Sequence, residues 1–320
     1  MINLKTTREL RYMRDAGKIS QEALLKAGEA VRPGVSTLEL DKIVRRTIEK
    51  AGAVPSFLGY GGFPASACIS VNNVVIHGIP SAHEILKEGD IVSIDVGAIY
   101  EGFNGDNAWT FPCGKVSEEA QKLMDATRES LFLAIEKAVP GNRIGDIGSA
   151  VQQYVEARNY SVVREFVGHG VGAKLHEDPS VPNYGTPGRG VRLLPGMTIA
   201  IEPMVTQGSC EVKILKDGWG IHAVRFQHHL KIAFIMTFKR PHNLSAYTVH
   251  LTPQSSDVRI TGPSGVMAIL CSKWAASLPS FVTVVQPSLR ILTSQLPCVT
   301  MGSIAIVMPG NRRTPLPGVP

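Results

Sequence analysis

Several features are rare or absent in this 320-residue sequence. Its five cysteines, an odd number, include no Cys-x-x-Cys pair, which argues against a disulfide framework or a zinc knuckle and favours a reducing compartment, the cytoplasm. No run of about 18 apolar residues occurs, and the charged N-terminal segment has no apolar stretch, so we expect neither a membrane span nor a signal peptide. Hydrophobic residues nevertheless make up 44% of the chain, enough for a sizeable buried core.

Acidic residues are almost absent from the last hundred positions. Residues 221–320 carry nine lysines and arginines against the single acid Asp257, and no glutamate follows Glu211. Residues 1–220 carry 24 basic and 26 acidic residues, so the overall charge of +6 arises entirely beyond them. The basic residues of the last part are scattered singly, which is not typical of a nucleic-acid-binding surface. We expect neither nucleic acid nor a membrane as a partner.

Residues 1–220 have the pattern of an α/β fold. Capping boxes that begin at Thr6 and Ser36 predict one pair of helices, and a second pair is predicted over residues 117–138 and 144–158. Strands are predicted over residues 67–76, 91–97, 109–111 and 197–205. Two helices, a histidine-bearing segment and an acid-bearing strand follow one another twice in this order, which indicates a weak internal duplication.

Asp95 and Asp106 lie on two predicted strands of one hairpin. If the chain turns at Tyr100 and Glu101, positions whose numbers sum to 201 pair, and the two aspartates face each other directly. Facing carboxylates repel, and one of them takes up a proton unless a cation lies between them. The alternative is a solvent-facing hairpin that carries two surface acids.

His169 and Glu202 extend this set. Glu202 lies within a strand of otherwise apolar residues, where a buried charge without a partner costs several kcal/mol, so a cation is the simplest explanation. His169 lies between two glycines, which leave room for close approach. Three carboxylates with one imidazole suit Mn, Fe, Co or Zn, and paired carboxylates suit two metals about 3.5–4 Å apart. Taken singly, a structural histidine and an edge-strand glutamate are the ordinary interpretations.

Two more histidines and several apolar residues flank these motifs. His77 precedes a glycine in IHGIP, and His176 lies in LHEDP. The apolar candidates for a pocket lining are Tyr60, Phe63, Cys68, Leu175 and Trp219. Each of them, taken singly, is more typical of an ordinary core.

Together these motifs resemble those of the type I methionine aminopeptidases. The matching strings are SVNNVVIHGIP at residues 70–80, DVG at 95–97 with Asp106, GHGVG at 168–172 with LHEDP at 175–179, PNYG at 182–185, and IEP at 201–203. The resemblance covers residues 1 to about 220. It implies an α/β pita-bread fold with pseudo-twofold symmetry, in which an antiparallel sheet is covered by helix pairs, within a catalytic domain of residues 1–228.

The resemblance also implies the roles of the site residues. Two divalent metal ions, of Co, Mn, Fe or Zn, would be held by Asp95, Asp106, His169 and Glu202. His77, His176 and Glu202 would take part in catalysis, with both histidines in contact with the substrate. Tyr60, Phe63, Cys68, Leu175 and Trp219 would form the pocket for a methionine side chain. The implied activity is removal of the N-terminal methionine from nascent proteins with a small second residue, by a cytoplasmic monomer at the ribosome.

One departure from the family pattern opens alternatives. The family has a second glutamate ligand in a strand such as Gln-Phe-Glu-His, and the corresponding stretch here, residues 223–228, has Gln227 in its place. A catalytically weakened or inactive pita-bread protein is therefore one alternative. A proline-specific aminopeptidase or dipeptidase, which would share the fold, is a second alternative that does not depend on this departure. The acid-poor, aperiodic composition of residues 229–320 is typical of a chain read out of frame, and we expect a poorly ordered tail there.

Overall fold

The computed structural model describes residues 1–224 with their side chains and, beyond them, only the backbone of six short strands. Four α-helices occur in residues 1–224: α1 (Thr7–Glu29), α2 (Thr37–Lys50), α3 (Glu118–Lys137) and α4 (Ile144–Glu156). Both predicted capping boxes are confirmed. Thr6 caps α1 and Ser36 caps α2, each in a reciprocal pair with the glutamate three residues later, Glu9 and Glu39.

Most strands are short. Those of residues 1–224 are β1 (Val54–Pro55), β2 (Ala67–Val71), β3 (Val74–Ile76), β4 (Ile91–Tyr100), β5 (Phe103–Pro112), β6 (Tyr160–Val162), β7 (Gly168–Gly170), β8 (Glu177–Val181), β9 (Thr198–Ile201), β10 (Met204–Gln207), β11 (Val212–Ile214) and β12 (Ile221–Ala223). The remaining strands are β13 (His229–Lys231), β14 (Phe234–Thr237), β15 (Tyr247–Leu251), β16 (Asp257–Gly262), β17 (Gly265–Cys271) and β18 (Phe281–Val284).

The two halves of residues 1–224 are built alike. In the first, β4 pairs with β1, β2 and β5, and helices α1 and α2 contact this antiparallel sheet and each other. In the second, β7 pairs with β8 and β9, β6 pairs with β10, and α3 and α4 form the second helix pair. One hydrophobic core, which includes Leu24, Ile94, Leu123 and Ile199, runs through both halves. This arrangement agrees with the predicted duplication.

The predicted register of the β4–β5 hairpin was wrong by two residues. Gly97 pairs with Asp106 and Asp95 pairs with Ala108, so the paired numbers sum to 203. The two-residue turn is Glu101-Gly102, and both residues have positive φ angles, 51° and 78°. A tight hairpin turn that matches strand twist requires such angles, and the glycine adopts them readily. The aspartates are therefore diagonal neighbours on one face and not directly opposed.

Two predicted strands are each split in two. The segment 67–76 breaks at Asn72, whose positive φ of 52° places a turn between β2 and β3. Asparagine tolerates this left-handed conformation better than most residues. The segment 197–205 breaks after Ile201, because Pro203 has no N–H to donate to a sheet. Glu202 consequently lies at the break between β9 and β10.

The prediction of a poorly ordered tail at residues 229–320 lies largely outside the described residues. Within that range, β13 pairs with β10 and β14 pairs with β9, both antiparallel. Strands β15 to β18 pair with one another in the order β17-β16-β15-β18. The proposed boundary between a domain of residues 1–228 and the tail stays a prediction.

Candidate active site

The metal-ligand candidates converge from both halves of the fold. Asp106 lies on β5, His169 on β7, and Glu202 directly follows β9. The Nε2 atom of His169 lies 3.1 Å from Oε1 of Glu202 and 3.6 Å from Oδ2 of Asp106. Among the described residues, these three form a group whose ligand atoms all lie within 4.8 Å of one another.

Asp95 lines the same pocket from β4. Its strand position is diagonal to that of Asp106, and diagonal neighbours in an antiparallel pair lie about 7–8 Å apart. This spacing accounts for its position outside the three-residue group. Asp95 is buried, as are Asp106 and Glu202.

The glycines beside His169 serve the packing of β7 between two other strands. A Cβ on Gly168 would lie 2.3 Å from the Ala200 oxygen, and one on Gly170 would lie 2.1 Å from the Asp178 oxygen. Neither approach is possible for a side chain, so both positions require glycine. The close approach predicted from the sequence is therefore that of neighbouring strand backbones.

The orientation of His169 is set by a hydrogen bond at its other nitrogen. Nδ1 lies 2.8 Å from the Gly170 carbonyl oxygen and donates to it, which directs Nε2 toward the carboxylates. Burial alone would lower the pKa of His169. The negative charges of Glu202 and Asp106, with hydrogen bonds to Glu202 and Gly170, outweigh burial and raise this pKa to about 9 in the metal-free protein.

The two other histidines border the pocket. The ring of His176 lies against that of His169, tilted by 57° with ring centroids 4.2 Å apart, and its Nδ1 lies 2.7 Å from the Tyr60 hydroxyl. His77 follows β3 with a φ of 59°, a strained conformation for this residue type. The next residue, Gly78, is anchored on β2, because its carbonyl oxygen accepts a hydrogen bond of 2.9 Å from Ile69.

A cavity of about 180 Å³ has the ligand group on its wall and is otherwise lined mostly by apolar residues. A cavity of roughly 150 Å³ holds one benzene-sized molecule, so this one suits a single side chain. All eleven site residues singled out in the sequence line it. They are Tyr60, Phe63, Cys68, His77, Asp95, Asp106, His169, Leu175, His176, Glu202 and Trp219.

The pocket also contains residues that the sequence did not reveal. They are Phe57, Ile76, Phe166, Val167 and Met204. Phe57 packs with Phe63, Cys68 and Leu175 in a small apolar cluster that is separate from the main core. Phe166 meets His77 edge-on at 6.0 Å. Phe57 lies three residues before Tyr60, and Phe166 lies three residues before His169. This closeness in sequence to known candidates was the only signal by which the two could have been found.

The donor set fits divalent metal ions. Three buried carboxylates and the imidazole of His169 form this donor set at the cavity wall, and no lysine or arginine of residues 1–224 lines the cavity with them. Buried carboxylates in this number need cationic partners. Oxygen donors with a single imidazole suit first-row divalent metals.

The fold and the site define a metal-dependent hydrolase of the duplicated α/β type. The model of metallopeptidase family M24 matches residues 11–233. The chain is 54% identical over 221 residues to a methionine aminopeptidase of Clostridium acetobutylicum, an alignment that covers 69% of this chain and 88% of the relative. A solved methionine aminopeptidase of Thermotoga maritima matches with a TM-score of 0.74 and 42% identity, over 75% of this chain and 96% of that one. The chain belongs to metallopeptidase family M24 and, within it, to the type I methionine aminopeptidases of the pita-bread fold.

Proline-specific relatives share the fold to a lesser degree. A prolidase of Pyrococcus furiosus matches with a TM-score of 0.60 and 23% identity, over 74% of this chain and 62% of that one. A likeness of this size reflects the common fold alone. The proline-specific alternative is therefore not favoured.

Proposed function

We propose that this chain removes the N-terminal methionine from proteins and peptides whose second residue is small. The observation that carries the proposal is the junction of two features, a buried three-carboxylate, one-histidine group and an apolar cavity for one side chain. A peptide whose first side chain fills the cavity would present its first peptide bond to the group. The membership of this chain in the methionine aminopeptidases supports such a substrate.

The apolar cluster would select methionine. Phe57, Phe63, Cys68, Leu175 and Trp219 offer aromatic and aliphatic surface to a flexible thioether, which packs well on aromatic rings. All five belong to a cluster of their own. The pocket can therefore be shaped for its ligand without disturbing the main core.

Asp95, Asp106, His169 and Glu202 would hold the metal ions, two by our proposal and drawn from Co, Mn, Fe or Zn. When bound, such ions polarise a carbonyl and lower the pKa of water to near neutrality. His169 must offer a neutral Nε2 for this purpose, and its Nδ1–H donation to Gly170 provides the required tautomer.

The remaining catalytic roles follow from position. Tyr60 engages Nδ1 of His176, so Nε2 of His176 is assigned as the donor to the oxygen of the attacked carbonyl. His77 borders the cavity from β3 and would contact the scissile amide. Glu202 carries a carboxylate at the cavity and would take up a proton and pass it to the leaving amine.

A weakened enzyme is the second candidate, because Gln227 stands where the family has a glutamate. Gln227 lies outside the residues whose side chains are described. A neutral amide is a poorer ligand than a carboxylate, so one metal ion would be retained by the group of Asp106, His169 and Glu202. The second ion would then be held weakly.

Hydrolysis assays with defined metal content distinguish these candidates. Met-Ala-Ser should be cleaved in preference to Met-Ile-Ser and to peptides with proline in second place. Preferential cleavage before proline would contradict the proposed specificity. If the missing glutamate weakens the enzyme, Gln227→Glu should raise both the metal stoichiometry and the rate. Two tightly bound ions and full activity in the parent chain would contradict the weakened state.

We further propose that the substrates are nascent chains at the ribosome and that the protein acts as a cytoplasmic monomer. None of the helices in residues 1–224 is long and apolar enough to cross a membrane. The region of residues 1–220 carries a small negative net charge, which gives no attraction to nucleic acid. Gel-shift binding of the full chain to nucleic acid, with an affinity that falls steeply as salt is added, would contradict the proposal that nucleic acid is not a partner.

A further inference from the structure

The loop that carries His176 rests on a buried ion pair contributed by the segment before α1. Nζ of Lys5 lies 2.5 Å from Oε2 of Glu177, the residue directly after His176. The two side chains are only 6% and 7% exposed. The interaction energy of a buried charge pair depends strongly on the distance between the charges. Removal of one partner leaves the other charge buried and uncompensated.

Lys5 is itself anchored in the framework. It immediately precedes Thr6, the capping residue of α1, and its backbone N–H donates to the Gly196 carbonyl oxygen over 2.7 Å. Gly196 lies two residues before β9, the strand that leads to Glu202. The lysine therefore connects α1, the entry to β9 and the His176 loop.

The loop backbone packs directly on the ion pair. A Cβ on Gly172 would lie 2.4 Å from Cε of Lys5 and 2.6 Å from Oε1 of Glu177. The same carboxylate accepts a hydrogen bond of 3.2 Å from the backbone N–H of Lys174. In the loop of residues 172–177, the Glu177 side chain thus binds the backbone at Lys174 and lies beside Gly172.

The opposite side of the loop is held from β5. The backbone N–H of Asn104 donates to the Gly172 oxygen over 2.9 Å, and its side-chain amide donates to Gly172 and Ala173. Asn104 lies two residues before Asp106 on the same strand. The loop is consequently clamped between the Asp106 strand and Lys5, and His176 projects from the clamped segment into the cavity.

We propose that Lys5 is a positioning residue that acts on the reaction through His176. Through its ion pair with Glu177, Lys5 holds the loop so that the imidazole of His176 stays in contact with the His169 ring and within reach of the substrate oxygen. This proposal rests on the proposed function for its kinetic consequence, but the placement of His176 can be measured without any activity.

Kinetics of full-length variants test the proposal. Lys5→Met should lower kcat for Met-Ala-Ser roughly 10- to 100-fold, because small misplacements of catalytic groups have effects of this size. KM should change little. Lys26→Met is the matched control, since Lys26 forms an ion pair of the same 2.5 Å length with Glu22, but an exposed one. It should leave kcat unchanged.

A double-mutant cycle separates positioning from general stability. In a His176→Ala background, Lys5→Met should lower kcat far less than it does in the parent, because its effect is transmitted through the missing imidazole. Additive losses would overturn the proposal. The double variant Lys5→Met, Glu177→Gln leaves no uncompensated charge and should fold even if the single variant does not. Its kcat should still be low, and full activity would overturn the proposal.

An NMR measurement on the metal-free protein is independent of catalysis. The imidazole signal of His176, assigned with His176→Ala, should shift or broaden in Lys5→Met. The signal of His83, an exposed residue that does not line the cavity, should stay in place. An unchanged His176 signal would overturn the positioning role, whereas a shifted signal in an inactive parent would leave it standing and refute only the proposed function.

Discussion

Metal binding should release a proton from His169 at neutral pH. In the metal-free protein the pKa of His169 is raised to about 9, because the attraction of Glu202 and Asp106 outweighs the opposing effect of burial. A metal ion binds only the neutral imidazole, so the proton must leave before Nε2 can serve as a ligand. At pH 7 the group is almost fully protonated.

The size of this effect follows from the distance between the pKa and the working pH. Two pH units below a pKa of about 9, deprotonation costs roughly 3 kcal/mol. The apparent affinity for Mn²⁺ should therefore be roughly 100-fold weaker at pH 7 than the limiting affinity above pH 9. The logarithm of the apparent binding constant should rise with pH, with a slope near one.

Titration calorimetry of the metal-free full chain measures the proton directly. Experiments at pH 7 in two buffers of different ionisation enthalpy should give about one proton released per chain when the ion that His169 binds is taken up. His83→Gln, which alters an exposed histidine away from the cavity, should release the same number. Affinity independent of pH between 7 and 9, or no proton release at pH 7, would refute the reasoning.

Three further outcomes are expected. The pKa of His169 is higher in the folded, metal-free protein than its ordinary 6.5, so protonated His169 stabilises the folded state. This stabilisation is complete below pH 6.5 and is lost as the pH rises to 9. Urea titrations should show that the free energy of unfolding falls by about 3 kcal/mol over this range. Gly105→Ala should lower the free energy of unfolding by about 1–3 kcal/mol or more, because its Cβ would lie 2.3 Å from backbone atoms of Ala16 in α1. Gly17→Ala, with open space at its Cβ, is the matched control for thermal unfolding, and equal losses would contradict the packing argument. Leu175→Ala, which removes one wall of the cavity, should lower kcat/KM for Met-Ala-Ser at least about 10-fold, and unchanged kinetics would mean that methionine binds elsewhere.

The sequence alone predicts those features that depend on neighbours along the chain. Thr6 and Ser36 begin helices because the capping partners are three residues away, within the same turn. Leu40, Val44 and Ile48 predict a buried helical face for the same reason, and all three are fully buried. The motifs around His77, Asp95, His169 and Glu202 were also sufficient to recognise the family.

Hairpin register was less accessible. The strand patterns of β4 and β5 are compatible with pairings that differ by two residues, since either keeps Asp95 and Asp106 on one face. The backbone at Glu101 and Gly102 decides between them, because both residues adopt positive φ angles in the tight turn. The sequence predicted the shared face correctly and the direct opposition wrongly.

Only the tertiary structure decides which distant residues meet. Phe57 and Met204 enter the cavity, and Lys5 meets Glu177 across 172 positions of sequence. None of these contacts leaves a local pattern, because each arises where separately formed strands and helices pack together. The sequence by itself determined the helix starts, the family and the candidate ligands, through interactions within a few residues. The folded chain determined the hairpin register, the full pocket wall and the support of the His176 loop, because these depend on contacts between segments far apart in the chain.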